Sequence, residues 1–316
     1  MLATKTKTVR RELKSILGEN LKEKEVLAPY TSFKIGGEAD YFFRAKRIDE
    51  LTNAVLTARE LGIPYFILGK GNNVLVSDEG FRGMVIKNEC RKTEVCDTTI
   101  ACQSGTLLKD LVNSARENSL QGFEFLAGIP GTVGGAVFGN AGAFGKSIGE
   151  YTEEAVLLTS SGNIEIVGRE YFDFGYRYSK LKKTMDVLLS VSFKLKKGRK
   201  ESIGKRIEQV WEKRKKSIPY NKKSAGCFFK NVKDKGISAG YLLDQVGAKK
   251  MSVGEAKVFS KHANIIINSK NAKAKDVKKL ARILKERVKK RFKINLEEEV
   301  IYLGKFNQRR LPIDNI

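Results

Sequence analysis

The stretch from Gly122 to Gly149 constrains the fold more than any other segment, because it holds nine glycines among apolar residues. It is too rich in glycine for an ordinary helix, and exposed loops are usually more polar. We expect a backbone surface that lets a flat or extended ligand approach closely. Two nucleotide-binding patterns do not fit it. A P-loop needs glycine where Asn140 stands, and a dinucleotide fingerprint needs GxGxxG directly after a first strand.

Apolar periodicity before residue 198 predicts alternating helices and short strands, the pattern of an α/β region. The segments 154–159 and 163–167 flank Ser160-Ser161-Gly162, which predicts a β-hairpin. Helices are predicted over 8–17, 48–61 and 107–118, and other strands over 40–44, 65–68, 73–77, 84–86, 99–102 and 186–195.

The composition becomes strongly basic after Gly198, which predicts a domain boundary near 198–202. Residues after Gly304 are predicted to form a loose tail. Beyond the boundary, helices are predicted over 203–216, 238–246 and 274–292, and strands over 263–268 and 299–303.

The chain carries 60 lysines and arginines against 36 acidic residues, a net charge of +24. This excess favours nucleic acid, an anionic membrane surface or phosphorylated small molecules as partners, although solvated surface lysines are the main explanation. The four cysteines include no CxxC pair and the chain has a single histidine, His262, so the short ligand spacing of a structural zinc site is absent. The sequence holds no run of ~20 apolar residues and no secretory h-region. We therefore expect a cytoplasmic protein without a metal site.

A glycine turn at Gly69-Lys70-Gly71-Asn72-Asn73 joins two predicted strands and exposes several backbone N–H groups in one concavity. Such a nest binds phosphate oxygens. The same turn also serves as a tight strand connection, and the residues alone leave both interpretations open.

Three further positions offer side-chain chemistry. Arg177 stands among aromatic residues, where a guanidinium either addresses a carboxylate or stacks on a tyrosine ring. Cys227, on a turn of small residues, is either an accessible acid or nucleophile or a buried inert thiol. The acidic run 297–299 is either a solvated strand end or the source of one inward-pointing general acid.

Six short segments together carry a resemblance that none of them carries alone, and they span most of the chain from Tyr30 to Gly304. They are YTSFKIGG at 30–37, GKGNNVL at 69–75, GFEFLAGIPGTVGG at 122–135, YRYS at 176–179, SAGCFFKN at 224–231 and EV at 299–300. In this order they resemble the bacterial UDP-N-acetylenolpyruvoylglucosamine reductase (MurB) family.

The resemblance implies an α+β protein: an α/β FAD-binding region of two subdomains, of the vanillyl-alcohol-oxidase or PCMH type, followed by a C-terminal α+β substrate domain. Residues 1–200 would form the FAD-binding domain, 201–304 the substrate-binding domain and 305–316 a tail. One predicted helix fills the segment 194–218. The chain therefore resembles the shorter form of the family, which lacks a tyrosine-bearing loop and a βαββ insertion.

The implied reaction reduces UDP-N-acetylglucosamine enolpyruvate to UDP-N-acetylmuramate with NADPH, in peptidoglycan precursor synthesis. Hydride passes from flavin N5 to C3, and the enolate that forms is expected to be stabilised by Arg177 and Glu299. The family usually has a serine where this chain has Cys227. We expect Cys227 to give the proton to C2, since a thiol with a pKa of ~8.5 is a far better acid than an alcohol. A nearby cation such as Lys230 lowers a thiol pKa and opposes this role.

The resemblance also implies binding residues and partners. FAD is expected to be non-covalent, because the only histidine lies outside the FAD-binding domain. Its expected contacts are Gly69, Lys70, Gly71, Asn72, Asn73, Val74, Leu75, Gly128, Ile129, Pro130, Gly131, Thr132, Gly134, Gly135, Asn140 and Gly142. Expected substrate contacts are Lys215, Lys230, Asn231, Tyr241 and His262, the last of which equally suits a structural role. The expected partners are the sugar nucleotide and NADPH, bound by a monomer that takes no nucleic acid.

Two other functions are weighed against this one. A different flavin oxidoreductase of the same fold would act on another alcohol or sugar, because fold alone does not fix function. Arg177, Cys227 and Glu299 together discriminate against it. A nucleic-acid-binding protein would account for the net charge but would leave the glycine segments unexplained.

Overall fold

The computed structural model describes residues 2–306. The predicted tail at 305–316 therefore lies outside the described residues from position 307 onward. No helix within this range combines the length and the apolar character needed to cross a bilayer. The helices are α1 (Leu2–Leu17), α2 (Ile48–Glu60), α3 (Leu108–Glu117), α4 (Val133–Phe138), α5 (Lys200–Lys215), α6 (Ala239–Gln245) and α7 (Ala274–Phe292). The strands are β1 (Lys22–Val26), β2 (Glu38–Ala45), β3 (Tyr65–Leu68), β4 (Val74–Val76), β5 (Phe81–Asn88), β6 (Thr93–Cys96), β7 (Thr99–Gln103), β8 (Leu120–Gln121), β9 (Gly142–Ala143), β10 (Lys146–Ser147), β11 (Thr152–Leu158), β12 (Ile164–Gly168), β13 (Val187–Lys194), β14 (Lys196–Lys197), β15 (Lys223–Cys227), β16 (Ser252–Val253), β17 (Ala256–Phe259), β18 (His262–Asn268) and β19 (Ile301–Leu303).

The first subdomain is built on a four-stranded sheet of order β1-β2-β5-β3, in which β5 is parallel to both of its neighbours. Helix α2 covers this sheet with Leu51, Ala54, Val55 and Ala58, which are fully buried. These residues recur at helical spacing, so α2 occupies the predicted segment 48–61 except for its last residue. The crossover from β2 through α2 to β3 is the βα alternation that the sequence predicts.

The second subdomain is built on a five-stranded sheet of order β12-β11-β13-β7-β6. All of its pairings are antiparallel, unlike those of β5 in the first subdomain. The predicted hairpin is confirmed, since β11 and β12 pair across the turn at 160–162. The glycine-rich segment does contain a helix, contrary to expectation. Helix α4 is only six residues long, is capped by the Thr132 side chain, and buries Val133, Ala136 and Val137.

The C-terminal region carries a four-stranded antiparallel sheet of order β15-β18-β17-β16. Helices α6 and α7 pack on it through a shared apolar core that includes Leu243, Ile266, Leu280 and Leu284. Helix α7 has the predicted bounds. Together the three sheets and their covering helices confirm the expected α+β class.

Helix α5 packs on the second subdomain and not on the C-terminal core. Ile203 is buried and Ile207 contacts the core of the second subdomain. After α5, the next residue in the C-terminal core is Ala225. The packing therefore favours a domain boundary after α5, later than the predicted 198–202. Between Lys194 and Ile218 the chain holds α5 and the two-residue strand β14.

Strand β19 leaves the C-terminal region and pairs with β4 of the first subdomain in parallel register, Ile301 beside Val74 and Leu303 beside Val76. This pairing shortens the predicted strand 299–303 to its last three residues. It also places Glu299 at the junction between the C-terminal region and the first glycine turn.

Candidate active site

A cleft of about 2790 Å³ lies where the two subdomains meet the C-terminal region. Typical ligand pockets measure roughly 300–1,000 Å³, so this cleft has room for more than one large ligand. The two glycine segments line it, together with Arg177, Cys227 and Glu299. Residues separated widely in sequence thus face one space.

The first glycine turn presents its backbone to the cleft. Within residues 2–306, the N–H groups of Lys70, Gly71 and Asn72 have no protein acceptor. The turn is fixed from behind through its carbonyls: Gly71 O accepts from Ser32 N at 3.0 Å, and Gly69 O accepts from the Lys87 ammonium. A row of free N–H groups on a fixed turn suits phosphate oxygens.

The two glycine segments approach each other so closely that a side chain at Gly69 would not fit. A Cβ there would lie 2.5 Å from Thr132 Oγ1. Gly71 has a φ of +69°, and a Cβ on it would lie 2.3 Å from Tyr30 O. The glycines at these two positions therefore set the width of the cleft floor.

In the second glycine segment, some backbone groups are hydrogen-bonded within the protein and others are not. Tyr220 Oη donates to Gly128 O at 2.9 Å. The N–H of Gly134 donates to Ser104 O at 2.7 Å. Gly134 is expected to contact the cofactor, but its N–H is already used in this hydrogen bond within the protein. Within residues 2–306 no acceptor is found for the N–H groups of Gly131 and Thr132, which remain available to a ligand.

Asn140 fastens the loops around the cleft to one another. Its Nδ2 donates to Gly175 O at 2.8 Å and its Oδ1 accepts from Gly149 N at 3.0 Å. The side chain is buried and used internally. It thus supports the loop that carries Arg177, and because it also lines the cleft its expected contact with the cofactor stays a prediction.

Arg177 projects from that loop with a φ of +54°. Its Nη1 donates to Gly142 O at 3.0 Å, and its Nε lies 2.8 Å from Glu299 Oε1. Among the described residues, that Nε–H nevertheless has no hydrogen-bond acceptor, because the short approach is not along the N–H direction. The guanidinium also lies over the Tyr176 ring at 5.6 Å. Both interpretations of Arg177, carboxylate pairing and stacking, thus describe the same side chain.

Glu299 is held through its backbone on two sides. Its N–H donates to Phe228 O at 2.8 Å, and its carbonyl accepts from Asn73 Nδ2 at 2.9 Å. Its carboxylate reaches Arg177, and its side chain is 20% exposed. Of the three acids in the run 297–299, Glu297 pairs with Lys230 and Glu298 with Lys285, so Glu299 is the one directed at Arg177.

Cys227 is the last residue of β15 and is partly exposed to the cleft. Burial raises the pKa of its thiol to about 11, with a further increase from Glu299, while Arg177 and Arg214 act in the opposite direction. Lys230, expected to lower this pKa, is instead paired with Glu297 at 3.1 Å. The thiol is therefore protonated at neutral pH, as a proton donor requires.

Arg214 and Lys182 also line the cleft, and the sequence reasoning missed both. Burial lowers the pKa of each side chain. Arg214 donates to Phe125 O at 3.3 Å and lies over the Phe144 ring at 5.4 Å, but its buried Nε has no acceptor. Lys182 Nζ donates to Arg177 O at 2.7 Å. In the sequence, the only indication of Arg214 and Lys182 is their positive charge within lysine-rich segments, and many surface residues have the same property.

The expected substrate residues divide by position. Lys230, Asn231 and His262 line the cleft, but Lys215 and Tyr241 do not. Lys215 pairs with Glu212 at the surface, and Tyr241 is 57% exposed. Helix α5 turns Arg214, not Lys215, toward the cleft, and the expected substrate contacts of Lys215 and Tyr241 stay predictions. Leu75, expected to contact FAD, is fully buried in the core and does not line the cleft.

His262 has both a structural hydrogen bond and a position on the cleft wall. Its Nδ1 accepts from Asn264 N at 3.3 Å, and it also lines the cleft. Burial, with a smaller contribution from Lys249, lowers its pKa. The ring is therefore neutral at neutral pH and carries its proton on Nε2.

The residues present fit the FAD that the resemblance implies. The free N–H groups of the first turn suit a diphosphate, and the bare backbone at Gly69 and Gly71 leaves the close approach that such a ligand needs. Asn72 Oδ1 is buried without a hydrogen-bond partner, as expected of an atom that awaits a ligand donor.

Two family models match the chain. Residues 39–168 match the FAD binding domain, and residues 218–303 match the C-terminal domain of UDP-N-acetylenolpyruvoylglucosamine reductase. The matched ranges leave residues 169–217, which include α5, between them.

Among similar proteins is the UDP-N-acetylenolpyruvoylglucosamine reductase of Clostridium kluyveri, 41% identical over 93% of this chain and 96% of the relative. The enzyme of the same name from Caldanaerobacter subterraneus is 38% identical over 96% of this chain and 98% of the relative. The crystal structure of UDP-N-acetylenolpyruvylglucosamine reductase (MurB) from Thermus caldophilus superposes with a TM-score of 0.77 at 35% identity. It covers 90% of this chain and 100% of its own.

Proposed function

Because the chain belongs to the UDP-N-acetylenolpyruvoylglucosamine reductase family, FAD-dependent oxidoreductases of peptidoglycan synthesis, we propose that it reduces UDP-N-acetylglucosamine enolpyruvate to UDP-N-acetylmuramate with NADPH. The observation that carries the proposal is the meeting of Arg177, Cys227 and Glu299 in one cleft with both glycine segments. A different flavin oxidoreductase of the same fold would not need this combination of residues.

The chain binds FAD, which supplies hydride to the substrate once it is reduced. We assign its diphosphate to the free N–H groups of the first glycine turn, and its remaining length to the backbone around Gly131 and Thr132. Binding is non-covalent in this proposal, since the single histidine, His262, lies in the C-terminal sheet.

Arg177 provides the fixed positive charge that a developing enolate requires. Its guanidinium is held by Gly142 O and Glu299 in a partly buried setting, so no reorganisation is needed when negative charge appears. Glu299 orients the guanidinium, and in its protonated form it would donate its O–H to the developing enolate.

Cys227 delivers the proton. Its thiol stays protonated at neutral pH because burial raises its pKa to about 11, and it faces the same cleft as Arg177 and Glu299. In the balanced step, carbon C3 gains the hydride, C2 gains the thiol proton, and the thiolate is reprotonated from solvent.

The substrate and NADPH both carry phosphates, and the cleft wall is basic enough for either. Arg214 and Lys230 are the cleft residues that we assign to the diphosphate, in place of Lys215. Every residue in the proposal comes from one chain, so a monomer suffices. The proposed location is the cytoplasm, where NADPH and nucleotide sugars are available.

The test is the visible spectrum of the purified holoenzyme under anaerobic conditions. We expect a flavin spectrum that bleaches with NADPH and returns on addition of UDP-N-acetylglucosamine enolpyruvate, with UDP-N-acetylmuramate identified by mass spectrometry. Acid precipitation should release the FAD. Bleaching without reoxidation by this substrate would refute the proposed substrate, and a protein that takes up no FAD would refute the flavoenzyme assignment.

A further inference from the structure

Asn73, at the end of the first glycine turn, forms two hydrogen bonds with the segment that carries Glu299. Its Nδ2 donates to Glu299 O at 2.9 Å, and its own carbonyl accepts from Ile301 N at 2.9 Å. The two bonds fall on either side of Val300. The turn that faces the cofactor and the segment bearing Glu299 are therefore joined by one residue.

These two hydrogen bonds continue directly into the backbone pairing of β4 with β19. Immediately after Asn73, β4 pairs with β19 in parallel register from Val74 and Ile301 onward. On its other side the segment donates from Glu299 N to Phe228 O at 2.8 Å, next to Cys227. Glu299 thus lies between two sets of backbone bonds, one to the cofactor turn and one to the strand of Cys227.

The side-chain amide of Asn73 is already occupied by this contact. Its nitrogen faces Glu299 O rather than a free acceptor site in the cleft, whereas the neighbouring Asn72 has a buried Oδ1 without a partner. Two adjacent asparagines of the same turn therefore have different surroundings, and only Asn72 shows the unmet hydrogen bond expected of a ligand contact.

We propose that Asn73 is a positioning residue that holds the Glu299 backbone, and through it the Glu299 carboxylate, in register with Arg177 and Cys227. The inference deepens the proposed function, on which its kinetic part rests. Without the Asn73 amide, Glu299 O loses its donor and the carboxylate is no longer fixed against Arg177. Misplacement by about 1 Å costs roughly a hundredfold in rate where geometry is critical.

The test compares Asn73→Ala and Asn73→Asp, both of which remove the donor, with Asn72→Ala in the same turn. Asn118→Ala is the matched control, because it removes a similar 2.8 Å side-chain bond to Ser114 O at an exposed helix end. All are measured as holoenzymes for FAD affinity, for flavin reduction by NADPH, and for flavin reoxidation by the sugar nucleotide. We expect both Asn73 variants to slow reoxidation by roughly tenfold to a hundredfold while FAD affinity and reduction change less than about threefold. Asn72→Ala should instead weaken FAD binding.

A second readout does not depend on turnover. Glu299 raises the pKa of Cys227, while Arg177 and Arg214 lower it, so a displaced Glu299 should let the thiol ionise at lower pH. Iodoacetamide labelling of the Cys227 peptide, followed by mass spectrometry against pH, should shift downward in both Asn73 variants and remain unchanged in Asn118→Ala.

The outcomes separate the two proposals. If the wild-type enzyme does not turn over the sugar nucleotide, the proposed function fails, and the labelling profile alone decides the role of Asn73. If the wild type turns over while the Asn73 variants keep both its reoxidation rate and its labelling profile, the positioning role is refuted. Loss of FAD affinity with an unchanged labelling profile would make Asn73 a cofactor ligand and overturn the inference.

Discussion

Arg177 Nε lies 2.8 Å from Glu299 Oε1, yet the Nε–H does not point at that carboxylate. The two side chains form a charge pair without using this donor. The pair is only partly exposed, at 23% and 20% for the two side chains, so its attraction is less screened than that of a surface ion pair. A group that carries negative charge near Arg177 would therefore meet an oriented cation.

Replacement of Arg177 should remove most of this charge stabilisation. We expect Arg177→Ala to lower the rate of flavin reoxidation by about 10²–10³, as is usual when a transition-state donor is lost. Arg177→Lys should recover only part of it, because an ammonium cannot hold both Gly142 O and Glu299 in the fork geometry. Stopped-flow reoxidation at saturating substrate is the measurement. Equal rates for wild type and Arg177→Ala would remove Arg177 from the chemistry.

Cys227 should be replaceable by serine and not by alanine. Cys227→Ser keeps a hydroxyl donor and should retain much of the activity, whereas Cys227→Ala should lose about 10²–10⁴-fold, the usual contribution of a general acid. Cys96→Ser is the matched control, since Cys96 is exposed and does not line the cleft. If Cys227→Ala turned over at the wild-type rate with unimpaired flavin reoxidation, another proton donor would be required.

The Cys227 thiol should ionise only in strongly alkaline solution. Because burial raises its pKa to about 11 from an ordinary 9.0, the neutral thiol is favoured in the folded state. Its contribution to stability is thus complete below pH 9 and is lost as the pH rises toward 11. Alkylation of the Cys227 peptide, followed by mass spectrometry, should reach its half-maximal rate near pH 11. A midpoint near that of exposed Cys96 would show that burial does not protect the thiol.

Gly69→Ala should disrupt the floor of the cleft. The added Cβ would lie 2.5 Å from Thr132 Oγ1, and overpacking of this kind typically costs about 1–3 kcal/mol. We expect a lower melting temperature together with weaker FAD binding. Gly204→Ala in α5 is the matched control, since its Cβ would meet only Arg116 Cδ at 4.0 Å. FAD binding as tight as in the wild type would show that the turn widens without affecting the cofactor.

Arg214 and Lys215 are adjacent in sequence and should differ in effect. Arg214→Met should raise the KM for the sugar nucleotide by about tenfold or more, since a charge-assisted contact is worth roughly 1.5–3 kcal/mol. Lys215→Met should leave the KM near the wild-type value, because Lys215 pairs with Glu212 outside the cleft. Steady-state kinetics over a range of substrate concentrations decides between them. The reverse order of effects would restore Lys215 as the substrate contact.

Local features of the fold could be predicted because they depend on residues that are close together in the sequence. The bounds of α7 and the hairpin of β11 and β12 follow from apolar periodicity and a turn sequence. Helix α4 escaped prediction because its six residues depend on the Thr132 cap and on the burial of one face, and tertiary contacts override glycine propensity there.

The sequence by itself determined the family, through six ordered motifs, and with it the positions of Arg177, Cys227 and Glu299. Only the tertiary structure decided how the side chains around those positions are arranged. It turned Arg214 instead of Lys215 into the cleft, used the Asn140 amide to fasten loops, and brought β19 back to β4 so that Asn73 holds Glu299. Side-chain direction and long-range strand pairing depend on the packing of distant segments, which spacing along one chain does not encode.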